Sequence, residues 1–203
     1  MIAAKKMNLA TFLTISRVAI APVFAFVFVW GYGSGGSEWI WICFGIALLI
    51  ELSDLFDGTI ARARGEVTDF GKVADPVADS VSRQTVFISF MLTGIIPLWM
   101  YLIFFYRDAF MQLLRIVCAS SGVVLAARKS GKAKAVLQGI ATFAVLIAII
   151  IMQKSEGGVD AKIWWGQHPG FWLMVIPALY TLLSVIDYII PNRKLIVKMM
   201  RKK

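Results

Sequence analysis

Four aspartates recur at helical spacing beside apolar stretches of the chain: Asp54, Asp57, Asp75 and Asp79. Asp54 and Asp57 are three residues apart and Asp75 and Asp79 are four apart, so each pair shares one face if its segment is helical. Four carboxylates brought together must be protonated or neutralised by cations. Because every ligand would be an oxygen atom, the pattern predicts a site for hard divalent cations such as Mg²⁺ or Mn²⁺.

The alternative for this stretch is a solvated loop whose charges have no further role. Glu66 and Asp69 fit that interpretation, with Arg62 and Arg64 as counter-ions. The four aspartates fit it poorly, because they belong to predicted helices that continue into apolar segments. A carboxylate in such a setting is costly to desolvate and usually marks function, so metal binding is the favoured interpretation.

The composition places these residues in a membrane protein. The 203 residues are 59% hydrophobic and 16% charged, and several apolar stretches approach the roughly 20 residues that cross a bilayer. We predict an all-α integral membrane protein, a single domain over residues 1–203 with six transmembrane helices. The predicted spans are about 11–30, 38 to beyond 50, 70 to near 97, 98–127, 133–152 and 170–190. Residues 1–10 are predicted to form a short helix on the membrane surface.

Basic residues are concentrated in alternate connections between these spans. Lys5 and Lys6 precede the first span, four basic residues lie between positions 128 and 134, and six lie between 193 and 203. Connections rich in Lys and Arg stay in the cytoplasm. The sequence therefore predicts that both termini are cytoplasmic and that the active site lies between the cytoplasmic ends of helices 2 and 3. No basic patch interleaved with aromatic residues supports nucleic-acid binding.

The aspartates belong to a longer pattern, Asp54-x2-Asp57-Gly58-x2-Ala61-Arg62-x8-Gly71-x3-Asp75-x3-Asp79. It resembles the signature of the CDP-alcohol phosphotransferase family, whose members are six-span membrane enzymes and often homodimers. The resemblance implies transfer of a phosphatidyl or related group from a CDP-linked donor to an alcohol, with release of CMP. It implies two divalent ions on the four aspartates, with Asp79 also acting as general base. It further implies that the CMP part is bound by Gly58, Ala61, Arg62 and Gly71.

Within that family, other segments resemble the phosphatidylglycerophosphate synthases. These segments are "TISRVAIAP" (14–22), "RDAFMQLLR" (107–115) and "GKAKAVLQ" (131–138). The expected substrates are then CDP-diacylglycerol and glycerol 3-phosphate. A second pocket for the phosphate of the acceptor is predicted from the basic residues Arg107, Arg115, Lys132 and Lys134. Asp108 is expected to be a poor partner for Arg107, because neighbouring residues on a helix point in different directions.

The chain departs from that branch in ways that leave the acceptor open. Thr11 replaces Asn, Asp108 replaces Glu, and Ser80 replaces the Lys that usually follows the last aspartate, so a positive charge beside Asp79 is lost. Other acceptors therefore stay open, namely serine, an inositol phosphate, or diacylglycerol receiving a choline or ethanolamine headgroup. Outside the family, the alternatives are a divalent-cation transporter and a non-catalytic scaffold.

Overall fold

The structure is a computed structural model that describes residues 9–34, 36–63, 69–120, 129–156 and 167–200. These residues form six α-helices, as the hydropathy pattern predicts. They are α1 (Leu9–Tyr32), α2 (Glu38–Ala63), α3 (Asp69–Leu92), α4 (Leu98–Ser120), α5 (Lys129–Glu156) and α6 (Pro169–Met200). The all-helical prediction is confirmed for this part of the chain. Residues 1–8 of the predicted surface helix lie outside the described residues.

Four of the helices are long and apolar enough to cross a membrane. The qualifying stretches among the described residues are Phe12–Tyr32, Glu38–Phe56, Ser130–Gln153 and Pro169–Ile190, so the chain is an integral membrane protein. Neither α3 nor α4 has a stretch that qualifies. Both helices carry charged side chains along their length, including Asp75, Asp79 and Arg83 in α3 and Arg107 in α4. The prediction of six spans therefore stays a prediction.

The chain divides into two compact units, of which the first comprises Met1–Thr93 and Ile149–Ala161. In this unit α1 packs against both α2 and α3. The ring of Phe28 is fully buried, and its centroid lies 5.5 Å from Phe24, 5.4 Å from Trp39 and 5.2 Å from Phe90. A Cβ at Gly31 would lie 2.4 Å from the Trp39 ring, so a glycine there lets α1 and α2 approach closely. These apolar contacts fix α1 as the helix that both motif-bearing helices touch.

The second unit comprises Gly94–Ala148 and Lys162–Lys203. Here α4 packs against α6, and the rings of Trp99 and Phe171 meet edge to face with centroids 6.4 Å apart. Gly94 precedes α4 with a φ of 77°, a left-handed conformation that favours glycine. Met100 and Phe104 are fully buried on α4. About one turn after Phe104, Arg107 and Asp108 contact polar residues of α6 and α5.

Candidate active site

Asp54, near the C-terminal end of α2, forms an ion pair with Arg17 of α1. The contact joins Arg17 Nη1 to Asp54 Oδ1, and Arg17 is 1% exposed whereas the Asp54 side chain is 40% exposed. A buried guanidinium is costly unless a carboxylate or other acceptor meets it. Arg17 therefore fixes the Asp54 carboxylate through Oδ1, while the Asp54 side chain stays partly exposed.

Asp75, near the start of α3, is held by the same face of α1. Thr14 Oγ1 donates a hydrogen bond of 2.9 Å to Asp75 Oδ1, and Thr14 is buried. Thr14 and Arg17 are three residues apart, so they lie on one side of α1. The family resemblance pointed to both residues as part of a first-span pattern but gave them no contact. The available signal was a charged residue, Arg17, three residues after Thr14 inside a mostly apolar span.

Asp79, one turn after Asp75, pairs with Arg83 on the next turn of α3. The Arg83 Nε and Nη2 atoms lie 2.9 and 2.8 Å from Asp79 Oδ1. Arg83 also reaches α2, where its Nη1 lies 3.2 Å from Glu51 Oε1. No pattern in the sequence points to a role for Arg83 or Glu51. Ser80 removes the positive charge expected directly after Asp79, but the Arg83 guanidinium contacts that carboxylate.

The three aspartates therefore share one arrangement. In each carboxylate, Oδ1 accepts from a neighbouring side chain, and no further partner of the other oxygen is found among the described residues. The donors are Arg17 for Asp54, Thr14 for Asp75 and Arg83 for Asp79. Within the described part of the chain, each carboxylate is thus oriented through Oδ1, and its Oδ2 can bind a cation or a proton.

A complete metal site is not assembled by the described side chains alone. Among them, no three residues of the His, Cys, Asp and Glu types lie close enough together to hold an ion. The helix α2 includes Asp57, Gly58, Ala61 and Arg62, and α3 includes Gly71, but the surroundings of these five residues lie outside what the structure describes. The convergence of four carboxylates and the nucleotide-binding roles of these residues stay predictions.

An apolar groove lies beside the Thr14–Asp75 hydrogen bond. It has a volume of about 490 Å³ and is open along one side. Its walls come from α1 and α3, through Thr14, Ile15, Val18, Ala19, Ala74, Val77 and Ala78. The groove is almost purely hydrocarbon in character, apart from the Thr14 hydroxyl. An aliphatic chain matches this lining and a charged headgroup does not.

The four predicted acceptor-binding cations all lie in the second unit, and two of them share a carboxylate. Lys134 is buried, and its Nζ lies 2.6 Å from Asp108 Oδ1. Arg107 Nη1 lies 3.0 Å from the same oxygen, and Arg107 Nε donates to Ser184 Oγ at 3.2 Å. The expectation that Asp108 would be a poor partner for Arg107 is wrong, because the long guanidinium arm bends back to its neighbour's carboxylate.

Arg115 and Lys132 are placed differently from that buried cluster. Arg115 is half-buried on α4 and Lys132 is exposed near the start of α5. Within the described part of the chain, neither has a hydrogen-bonding or ionic partner. Arg107 and Lys134 thus share the carboxylate of Asp108, whereas no described side chain pairs with Arg115.

Comparison with known proteins points to the same family as the aspartate motif. A family model described as CDP-alcohol phosphatidyltransferase matches residues 7–199. A Treponema pallidum protein named CDP-diacylglycerol–glycerol-3-phosphate 3-phosphatidyltransferase is 30% identical over 145 residues, which cover 70% of this chain and 65% of the relative. A Bacillus subtilis protein of that name is 35% identical over 148 residues, covering 69% of this chain and 77% of the relative. One from Mycoplasma genitalium is 32% identical over 149 residues, covering 67% and 63%. The match spans less than two thirds of the Treponema and Mycoplasma relatives.

Proposed function

This chain belongs to the CDP-alcohol phosphatidyltransferase family, and on that premise we propose that it transfers the phosphatidyl group of CDP-diacylglycerol to glycerol 3-phosphate. The observation that carries the proposal is the set of three aspartates on α2 and α3, each oriented through one oxygen by a neighbouring side chain. The names of the relatives support the choice of donor and acceptor. The reaction belongs to phospholipid synthesis and releases CMP.

The bond changes follow from a nucleophilic displacement at phosphorus. A hydroxyl oxygen of glycerol 3-phosphate forms a bond to the phosphorus of the phosphatidyl group. The bond from that phosphorus to the oxygen bridging to CMP breaks, and CMP leaves with the electron pair. The hydroxyl proton passes to a carboxylate, for which Asp79 is proposed as general base.

Two divalent ions, Mg²⁺ or Mn²⁺, are proposed to be held by Asp54, Asp57 and Asp75, with Asp79 contributing. The fit rests on the chemistry of the donors, since carboxylate oxygens suit hard cations. When bound, such ions would neutralise the charge of the diphosphate. The chain's own residues supply orientation, through the Arg17 and Thr14 contacts to Oδ1 of Asp54 and Asp75. Gly58, Ala61, Arg62 and Gly71 are proposed to bind the CMP part of the donor.

We further propose six spans, with both termini and the active site on the cytoplasmic side of a bacterial membrane. The support is the concentration of basic residues in alternate connections, which is typical of cytoplasmic segments. The α3 and α4 helices would then cross the membrane with their charged residues turned to protein or water, which polar spans require. A homodimer is proposed from the family resemblance.

The apolar groove between α1 and α3 is proposed to hold an acyl chain of the donor. Substituting Ala19, an exposed residue of its wall, by Phe should fill part of the groove. We expect Ala19→Phe to raise KM for a long-chain CDP-diacylglycerol by about fourfold or more, because each displaced methylene costs about 0.8 kcal/mol. Steady-state kinetics with long-chain and short-chain donors measure the effect. Leu48→Phe, at an exposed position of α2 outside the groove, is the control, and an equal change for both donors would contradict the assignment.

The acceptor is tested with purified protein, radiolabelled CDP-diacylglycerol and a panel of alcohols. Glycerol 3-phosphate should be the preferred acceptor over serine, an inositol phosphate and diacylglycerol, as the names of the relatives indicate. Arg115→Ala should raise KM for glycerol 3-phosphate by at least about tenfold, equivalent to roughly 1.4 kcal/mol. The reason is that the planar guanidinium of Arg115 can bind two phosphate oxygens at once.

The control for that variant is Arg193→Ala, which removes a guanidinium from an exposed position of α6. KM for CDP-diacylglycerol should change little in either variant. Preference of the wild type for an uncharged alcohol, or an unchanged glycerol 3-phosphate KM in Arg115→Ala, would show that another acceptor is used. Flux of divalent ions without release of CMP would instead favour a transporter.

A further inference from the structure

Arg83 meets Asp79 through two nitrogen atoms on a single oxygen. Its Nε and Nη2 lie 2.9 and 2.8 Å from Oδ1, and a guanidinium that engages one atom with two donors fixes direction as well as charge. The two residues are four apart on α3, so the contact needs no other helix to form. Oδ1 is thereby occupied, which makes Oδ2 the oxygen through which Asp79 can accept a proton or meet a cation.

Glu51 meets the opposite edge of the same guanidinium. Arg83 Nη1 lies 3.2 Å from Glu51 Oε1, and Arg83 is 8% exposed. Glu51 precedes Asp54 by three residues on α2, so Arg83 joins the two helices that carry the aspartate motif. A buried guanidinium with one carboxylate would be drawn wholly to it, whereas a second carboxylate shares its charge and limits how far it can turn.

We propose that Arg83 and Glu51 are positioning residues for Asp79. Arg83 holds Oδ1 so that Oδ2 is directed at the reacting hydroxyl, and Glu51 holds Arg83 in the orientation that does this. The inference rests on the proposed function, because Asp79 is the residue proposed there as the general base. A purely structural role, in which the three residues only tie α2 to α3, is the competing explanation.

The two explanations differ in which kinetic constant changes. If Arg83 positions Asp79, Arg83→Gln should lower kcat by at least about tenfold while KM for CDP-diacylglycerol and CDP binding by calorimetry stay within about twofold. Arg83→Lys should recover part of kcat, since it restores charge without the fork. Glu51→Gln should lower kcat less, by roughly threefold, because it acts through Arg83.

A double-mutant cycle tests whether Glu51 acts through Arg83. Adding Glu51→Gln to Arg83→Gln should change kcat little further, whereas independent roles would multiply the two losses. Thermal unfolding of each variant separates positioning from loss of structure. The matched control is Arg193→Gln, which removes an exposed guanidinium of α6 and should leave all constants unchanged.

The outcomes that would overturn the inference fall into two kinds, according to whether the proposed function fails with it. No transfer from CDP-diacylglycerol by the wild type overturns the proposed function and this inference with it. If the wild type transfers the phosphatidyl group and Arg83→Gln has an unchanged kcat, the positioning role alone is overturned. The same holds if Arg83→Gln loses kcat, donor binding and thermal stability in parallel. If Arg83→Gln does not fold, the same comparison is made with Arg83→Lys, for which an unchanged kcat is the contrary result.

Discussion

Removal of divalent cations with EDTA is expected to abolish turnover, and added Mg²⁺ or Mn²⁺ to restore it. The diphosphate of the donor is anionic, and three aspartates beside it would repel it unless cations lie between them. Oδ1 of Asp54, Asp75 and Asp79 is held by Arg17, Thr14 and Arg83 respectively, and Oδ2 has no partner among the described residues. That arrangement suits cation binding, because the ligands are already oriented before an ion arrives.

The measurement is CMP release by protein whose metal content has been followed through chelation. CDP binding by calorimetry, with and without Mg²⁺, gives a readout that does not depend on turnover. Asp57→Asn should weaken CDP binding in Mg²⁺ to the level of the chelated wild type, because a charged ligand is lost. Full turnover by metal-free protein would remove the metal assignment and leave the aspartates as bases or structural groups.

The helices themselves could be predicted closely from the sequence. The predicted span 170–190 lies inside α6, and the predicted start of the second span at Glu38 is the first residue of α2. Apolar runs of this length have few alternatives in a bilayer. Boundaries were less certain where polar residues continue a helix beyond the membrane, as in α6, which extends to Met200.

The contacts of the aspartates could not be predicted in the same way. Spacing along a helix shows which side chains share a face, but it does not show which other helix that face meets. Thr14 and Asp75 are 61 residues apart and Arg17 and Asp54 are 37 apart. Both contacts depend on α1 packing between α2 and α3, which the apolar residues of α1 determine together. Spacing therefore predicts carboxylates facing each other between two helices, but it does not reveal the donors on a third helix.

Arg107 shows a different limit of sequence reasoning. Consecutive residues on a helix point about 100° apart, which argues against an ion pair between Arg107 and Asp108. A long, flexible side chain can still bend back along the helix surface, and Arg107 does so when Lys134 and Ser184 complete the cluster. Helix geometry fixes the direction of the Cα–Cβ bond, whereas buried polar partners determine the conformation that a long side chain adopts.

Asp79→Asn is expected to lower kcat by roughly 10²–10⁴-fold, the range typical of losing a general base. The amide keeps the shape of the carboxylate, and its oxygen can still accept from Arg83 where Oδ1 does now. What it loses is the capacity to take the hydroxyl proton through the second oxygen. Binding of CDP-diacylglycerol should therefore largely survive, because Asp54, Asp57 and Asp75 remain to hold the cations.

Asp57→Asn provides the contrast, since that variant should lose donor binding and turnover together. Single-turnover rates and donor affinity, measured on both variants in Mg²⁺, separate the two roles. Thermal unfolding of both variants shows whether a loss of activity reflects misfolding. If Asp79→Asn loses donor binding as fully as Asp57→Asn, then Asp79 acts mainly as a metal ligand through Oδ2. In that case Oδ2 serves mainly a cation while Oδ1 accepts from Arg83, and another group takes the hydroxyl proton.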